Sequence, residues 1–150
     1  MKIFDCFMYF DEEIVLDLRL NTLNDFVDYF VIVESKFTHK GSKRDLKFNH
    51  KKFEKFKNKI IYLIHDEEPD NLIEINDPDN DHHAYIMNAA YRENGQRNFI
   101  EKGLNLADND DLILISDVDE IPQLEKLDLS KIKEKIILFK QDMFYYKFNL

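Results

Sequence analysis

Short apolar runs rich in β-branched and aromatic residues recur along this chain, separated by charged stretches, and that alternation predicts an α/β fold. Residues 2–9 read as a first strand, 30–34 as a second, 59–64 as a third and 111–116 as a fourth. The second is short and continuously apolar, as a parallel strand covered on both faces should be. Residues 11–23 read as a helix with Ile14, Leu18 and Val15 on its apolar side, and Asp11, Glu12 and Glu13 sit at the end where the helix dipole favours negative charge. Residues 51–57 predict a short basic helix. Residues 85–106 predict a longer one, with Phe99, Ile100, Gly103, Leu104 and Ala107 on one face and Gly95 marking a late start or a bend. Past Pro122, residues 124–133 predict a short helix and 135–148 a long strand near the last residue, as if the chain stopped within a fold. The order of elements predicts one domain built on a mostly parallel sheet with helices on both faces.

The fourth strand runs into acids: Ser116, Asp117, Val118, Asp119 and Glu120 precede Ile121 and Pro122. On an extended backbone Asp117 and Asp119 share a face while Val118 turns to the core. Pro122 lacks a donor and restricts Ile121, so the strand should stop there. Hard carboxylate oxygens suit Mg2+ or Mn2+, whose remaining ligands usually include water and substrate phosphate. Ligands of open α/β sheets gather at this end of the strands. Turn formation and helix capping are the ordinary alternative for such acids. Glu34 and Glu12 follow the second and first strands in the same way; Glu34 is a candidate for base or ribose contact, with turn capping as its alternative. The adjacent pair His82 and His83 points in two directions within an expected loop and is not taken as a metal site.

Composition narrows the class. An apolar fraction of 44% with 13 Phe and 7 Tyr belongs to a folded protein, and 3 Gly and 3 Pro exclude low-complexity architectures. A net charge of −9 argues against a general nucleic-acid binder. The charge is segregated, however: residues 36–59 are strongly basic and 66–81 carry only acids, so the two runs can pair or the basic one can face phosphates. The single cysteine, Cys6, cannot form an internal disulfide and reads as a core residue. With no signal-peptide pattern and no membrane-length apolar segment, the expected location is cytoplasmic.

Taken in order, several segments resemble glycosyltransferase family 17, which includes the transferases that add the bisecting β-1,4-N-acetylglucosamine to N-glycans. They are Tyr9-Phe10-Asp11-Glu12 with Leu18-Arg19-Leu20; Val27-Asp28-Tyr29-Phe30-Val31-Ile32-Val33-Glu34-Ser35; Thr38, Gly41 and Lys43; Gln96-Arg97-Asn98 with Gly103-Leu104; and residues 115–122. The resemblance implies a GT-A-like nucleotide-sugar-binding domain over residues 1–150, truncated on its C-terminal, acceptor side. It also implies a UDP-sugar donor such as UDP-GlcNAc, a glycan acceptor, an inverting reaction and a divalent metal, Mn2+ or Mg2+. By that resemblance Asp119 is the direct metal ligand, and Asp117 contacts the ribose, or the metal through water. Arg97 suits pyrophosphate or carboxylate, with Glu93 one turn earlier placed to orient it; an ordinary surface i,i+4 pair is the alternative, and the resemblance places Arg97 at the site. Lys43 and Arg44 are candidates for donor phosphate contact. No general base is assigned; Glu120 is a candidate, with orienting Asp119 or capping the next turn as its alternatives. Two other readings stand beside this one. One is a catalytically silent nucleotide-binding or interaction domain. The other is a haloacid-dehalogenase-like phosphohydrolase, which Glu120-Ile121-Pro122 disfavours.

Overall fold

Strand β1 (Ile3–Tyr9) lies between β2 (Tyr29–Ser35) and β4 (Leu112–Ile115), with β3 (Ile60–His65) beyond β2. All three pairings are parallel, with Cys6 opposite Val31 on one side and Ile115 on the other. The result is an α/β, Rossmann-like sheet, and the computed structural model describes it within residues 1–132 and 134–142. The four strands fall where the apolar runs predict them, with no end shifted by more than one residue. The central strands are buried on both faces. Phe7, Tyr9, Phe30 and Ile32 enter one core, and Phe4, Cys6, Val31 and Val33 the other. Each such side chain contributes roughly 1.5–3 kcal/mol when fully buried. Burial also pushes the Cys6 thiol well up, so it behaves as a small apolar group.

Helix α1 (Glu13–Leu23) covers the first core, but in a different rotation from the one its hydrophobic residues suggest. Its buried stripe is Leu16, Arg19, Leu20 and Leu23, whereas Ile14 and Leu18 are 83% and 58% exposed. Val15 is half-buried and packs against the core edge. The rotation follows from Arg19, which turns inward because a carboxylate, Asp5, waits for it inside the sheet.

Helix α2 (His82–Asn98) starts earlier than its pattern suggests, runs unbroken through Gly95 and continues as a 3-10 turn, Phe99–Gly103. As predicted, Phe99, Ile100, Leu104 and Ala107 pack on the second core. Gly103 is required there, since a Cβ would sit 2.4 Å from Val31 Cγ1. The acidic stretch is tied down by α2: Asn88 both donates to and accepts from the backbone of Ile73, at 2.8 and 2.7 Å. The segregated charges do meet, in the pair Lys36 with Asp66.

Other expectations are corrected. The basic helix is one 3-10 turn, Glu54–Phe56. In place of the helix expected over residues 124–133, the described residues 124–132 give two such turns, Leu124–Lys126 and Leu129–Lys131, because the chain is extended at Leu127 between them. Residues 134–142 contain no strand, and the rest of the predicted final strand lies outside the described residues. Among the described residues no helix is long and apolar enough to cross a membrane.

Candidate functional site

Parallel strands deliver all their carboxyl ends to one edge, and there a cleft of about 890 Å3 opens. Its walls include Tyr9 and Glu12 after β1, Thr38 and Lys40 after β2, Glu93 and Gln96 on α2, and Asp117 and Asp119 after β4.

The acidic segment is a turn, not an extension of β4. The Glu120 amide donates to the Asp117 carbonyl at 3.0 Å, and the Asp117 amide donates to Glu120 Oε2 at 3.0 Å. The alternation argument for Asp117 and Asp119 is therefore corrected: the turn, not a pleat, points both at the cleft while Val118 stays 7% exposed in the core. Glu120 spends one carboxylate oxygen on closing this turn from behind, at the Asp117 amide.

Arg97 reaches Asp117 from α2. Its Nη2 donates to Asp117 Oδ1 at 3.0 Å and to Glu93 Oε1 at 3.1 Å. Burial pulls this guanidinium down, but its hydrogen bonds to Asp117 and Glu93 outweigh that and raise it. Gln96, beside it, anchors α2 to the sheet by donating to the Val33 carbonyl at 2.8 Å.

The other candidates separate. Glu12 lines the cleft, and its Oε2 accepts from the amides of Phe10 and Asp11 at 3.0 and 3.1 Å. Glu34 is corrected: it is fully buried, accepting from the Lys47 and Phe48 amides at 2.7 and 3.1 Å and from the Tyr62 hydroxyl at 2.8 Å. The bonds from Lys47 and Phe48 tie the 44–48 loop to the end of β2 and the one from Tyr62 ties in β3, so both carboxylate oxygens are occupied by the protein itself. Arg44 is drawn inward by Glu34 at 3.0 Å and lies over the Phe10 ring. Lys43 is exposed, bridged through its backbone to Phe37, and the cleft wall carries Lys40 instead. Between them Gly41 takes φ +86, with the Arg92 guanidinium packed where a Cβ would be. Burial, then the nearby Glu34, pushes the Tyr9 phenol up to about 12, so it stays protonated at the base of the cleft.

Two residues beneath the site are missed by the sequence reading. Arg19 and Asp5 form a two-pronged ion pair, Nε to Oδ2 at 2.8 Å and Nη2 to Oδ1 at 2.7 Å, with neither side chain exposed. The available signal is an acid at the centre of an apolar strand and a base in register with Leu16, Leu20 and Leu23.

Asp117 and Asp119 supply two carboxylates, and among the described residues no group of three or more His, Cys, Asp or Glu is arranged to hold a metal alone. That donor set fits a hard cation completed by water and phosphate, and does not fit an all-protein cage. His82 and His83 open α2, and neither lines the cleft.

Fold and site together define a Rossmann-like α/β domain with an acid-lined cleft at its carboxyl edge. The family model for glycosyltransferase family 17 matches residues 1–150, and the chain belongs to that family. It is 33% identical over 112 residues to the beta-1,4-mannosyl-glycoprotein 4-beta-N-acetylglucosaminyltransferases of Homo sapiens and Rattus norvegicus, and 32% identical to that of Mus musculus. These matches cover 72% of this chain and 19% of each relative, so the chain spans about a fifth of the length of the curated relatives it matches. No solved structure matches it.

Proposed function

We propose that this chain is the donor-binding part of a glycosyltransferase that takes UDP-GlcNAc and transfers the sugar to a glycan acceptor on a GT-A-like scaffold. The observation that carries the reading is the placement of Asp117 and Asp119 on the cleft wall, with Arg97 hydrogen-bonded to Asp117 from α2. Family membership and the names of the relatives, which are N-acetylglucosaminyltransferases, support the sugar class.

Asp119, with Asp117 beside it, would hold a divalent ion, Mn2+ or Mg2+. Such an ion supplies Lewis-acid stabilisation of the charge that grows on a departing nucleoside diphosphate. Arg97 adds a fixed positive charge on the same side, where a planar guanidinium matches phosphate oxygens. Asp117, its present partner, would share the holding of such an ion with Asp119. Glu120, already bonded to the Asp117 amide, keeps the turn closed and is not assigned the acceptor's proton.

The test is manganese-dependent release of UDP from a panel of nucleotide sugars, read beside thermal protection. Saturation at about a hundred times the dissociation constant stabilises by about 2.7 kcal/mol. Asp119→Ala should abolish UDP release with an unchanged circular dichroism spectrum. Wild-type rates in that variant sink the mechanism, and UDP binding without turnover assigns the chain a binding role alone.

A further inference from the structure

The acidic turn has no regular secondary structure to hold it, yet its carbonyls converge on one buried nitrogen. Arg19 Nη1 donates to the carbonyls of Asp117, Val118 and Glu120 at 2.7, 3.2 and 3.2 Å. Nη2 adds the Ser116 hydroxyl at 2.7 Å, and that hydroxyl in turn donates to the Glu120 carbonyl at 3.2 Å. Nε and the remaining Nη2 donor are taken by Asp5, and the guanidinium lies over the Phe7 ring with its carbon 4.5 Å from the centroid. A guanidinium has five N–H donors in a rigid fork, and here every branch is used. Asp5 neutralises the charge and fixes the plane; the opposite edge of that plane is then a template for the turn.

We infer that Arg19 is the positioning residue of this site: its guanidinium sets the curvature of residues 116–120 so that Asp117 and Asp119 project into the cleft. The arrangement explains how carbonyls face inward at 117, 118 and 120 while the side chains at 117 and 119 face the cleft. It also explains why a full charge sits on the buried stripe of α1, where any apolar residue would pack at lower desolvation cost. Lysine cannot replace it, because an ammonium is a point donor without the planar fork. Which ligand the turn receives rests on the proposed function; the shape of the turn does not.

The experiment compares Arg19→Lys, Ser116→Ala and a control, Leu23→Ala, which opens the core under α1 at a distance from the turn. Hydrogen exchange is read at the amides of Asp117, Glu120 and Ile121, whose bonds close the turn. Calorimetry with manganese and UDP gives the affinity. In Arg19→Lys we expect exchange at these amides at least tenfold faster and manganese–UDP affinity at least tenfold weaker, with smaller losses of both, two- to fivefold, in Ser116→Ala. Leu23→Ala should melt earlier than wild type yet match it in both readouts. Unchanged exchange in Arg19→Lys, or equal losses in the control, overturns the inference. Should Arg19→Lys fail to fold, unchanged exchange in Ser116→Ala overturns it alone. If wild type binds neither manganese nor UDP, the proposed function falls while the exchange comparison still decides the role of Arg19.

Discussion

Two arginine–aspartate pairs flank the acidic turn, one beneath it and one above. Arg19 and Asp5 are 0% exposed, whereas Arg97 and Asp117 are 33% and 54% exposed. The sealed pair cannot trade its partners for water, so its geometry is fixed and passes to the backbone it touches. The open pair is bathed in solvent, where ion pairs are typically worth about 0–1 kcal/mol, and it can exchange one partner for another at little cost. A sealed pair and an open pair thus use the same chemistry, and burial decides which of them can change partners.

The strongest way to break this comparison is Asp5→Ala. It strands a buried guanidinium, and loss of one partner of such a pair costs about 3–5 kcal/mol; urea denaturation should show it, and a loss below 1 kcal/mol would mean that Arg19 finds water. Arg97→Ala should cost less than about 1 kcal/mol in the same measurement while weakening affinity for UDP, and equal losses in the two variants would erase the distinction. The smallest effect sharpens the rule. His65 is buried with no hydrogen-bond partner on Nδ1, and unlike Arg19 it meets burial by shedding charge: desolvation holds its pKa below the ordinary 6.5, although Glu67, Glu68 and Asp66 pull the other way. Above 6.5 both folded and unfolded states are neutral here; as pH falls below that value the unfolded state takes the proton first, so stability declines. His65→Gln should flatten the melting-temperature profile between pH 7 and 5, and an unaltered slope would assign the decline to other groups.

The strands were legible because short apolar runs bounded by polar residues need no knowledge of distant partners. That Asp117 and Asp119 reach the carboxyl edge of the sheet is legible in the sequence, though not their turn, since the carbonyls that shape it bond to a residue about a hundred positions earlier. For the same reason Glu34 looked like a ligand contact: its partners Lys47, Phe48 and Tyr62 come from other segments. The rotation of α1 is not legible, because hydrophobicity places an arginine outward and only a carboxylate inside the neighbouring strand reverses that.

The position of β1 at the centre of the sheet has a consequence in time. Its partners are β2, which begins at Tyr29, and β4, which begins at Leu112. At roughly 5–20 residues per second of synthesis, one edge of β1 finds its neighbour soon after emergence and the other waits on the order of 5–20 s more. During that interval Asp5 and Arg19 are already made, while the turn they grip is not. The ion pair can therefore form first, as a preassembled mould into which the acidic segment is cast when it arrives.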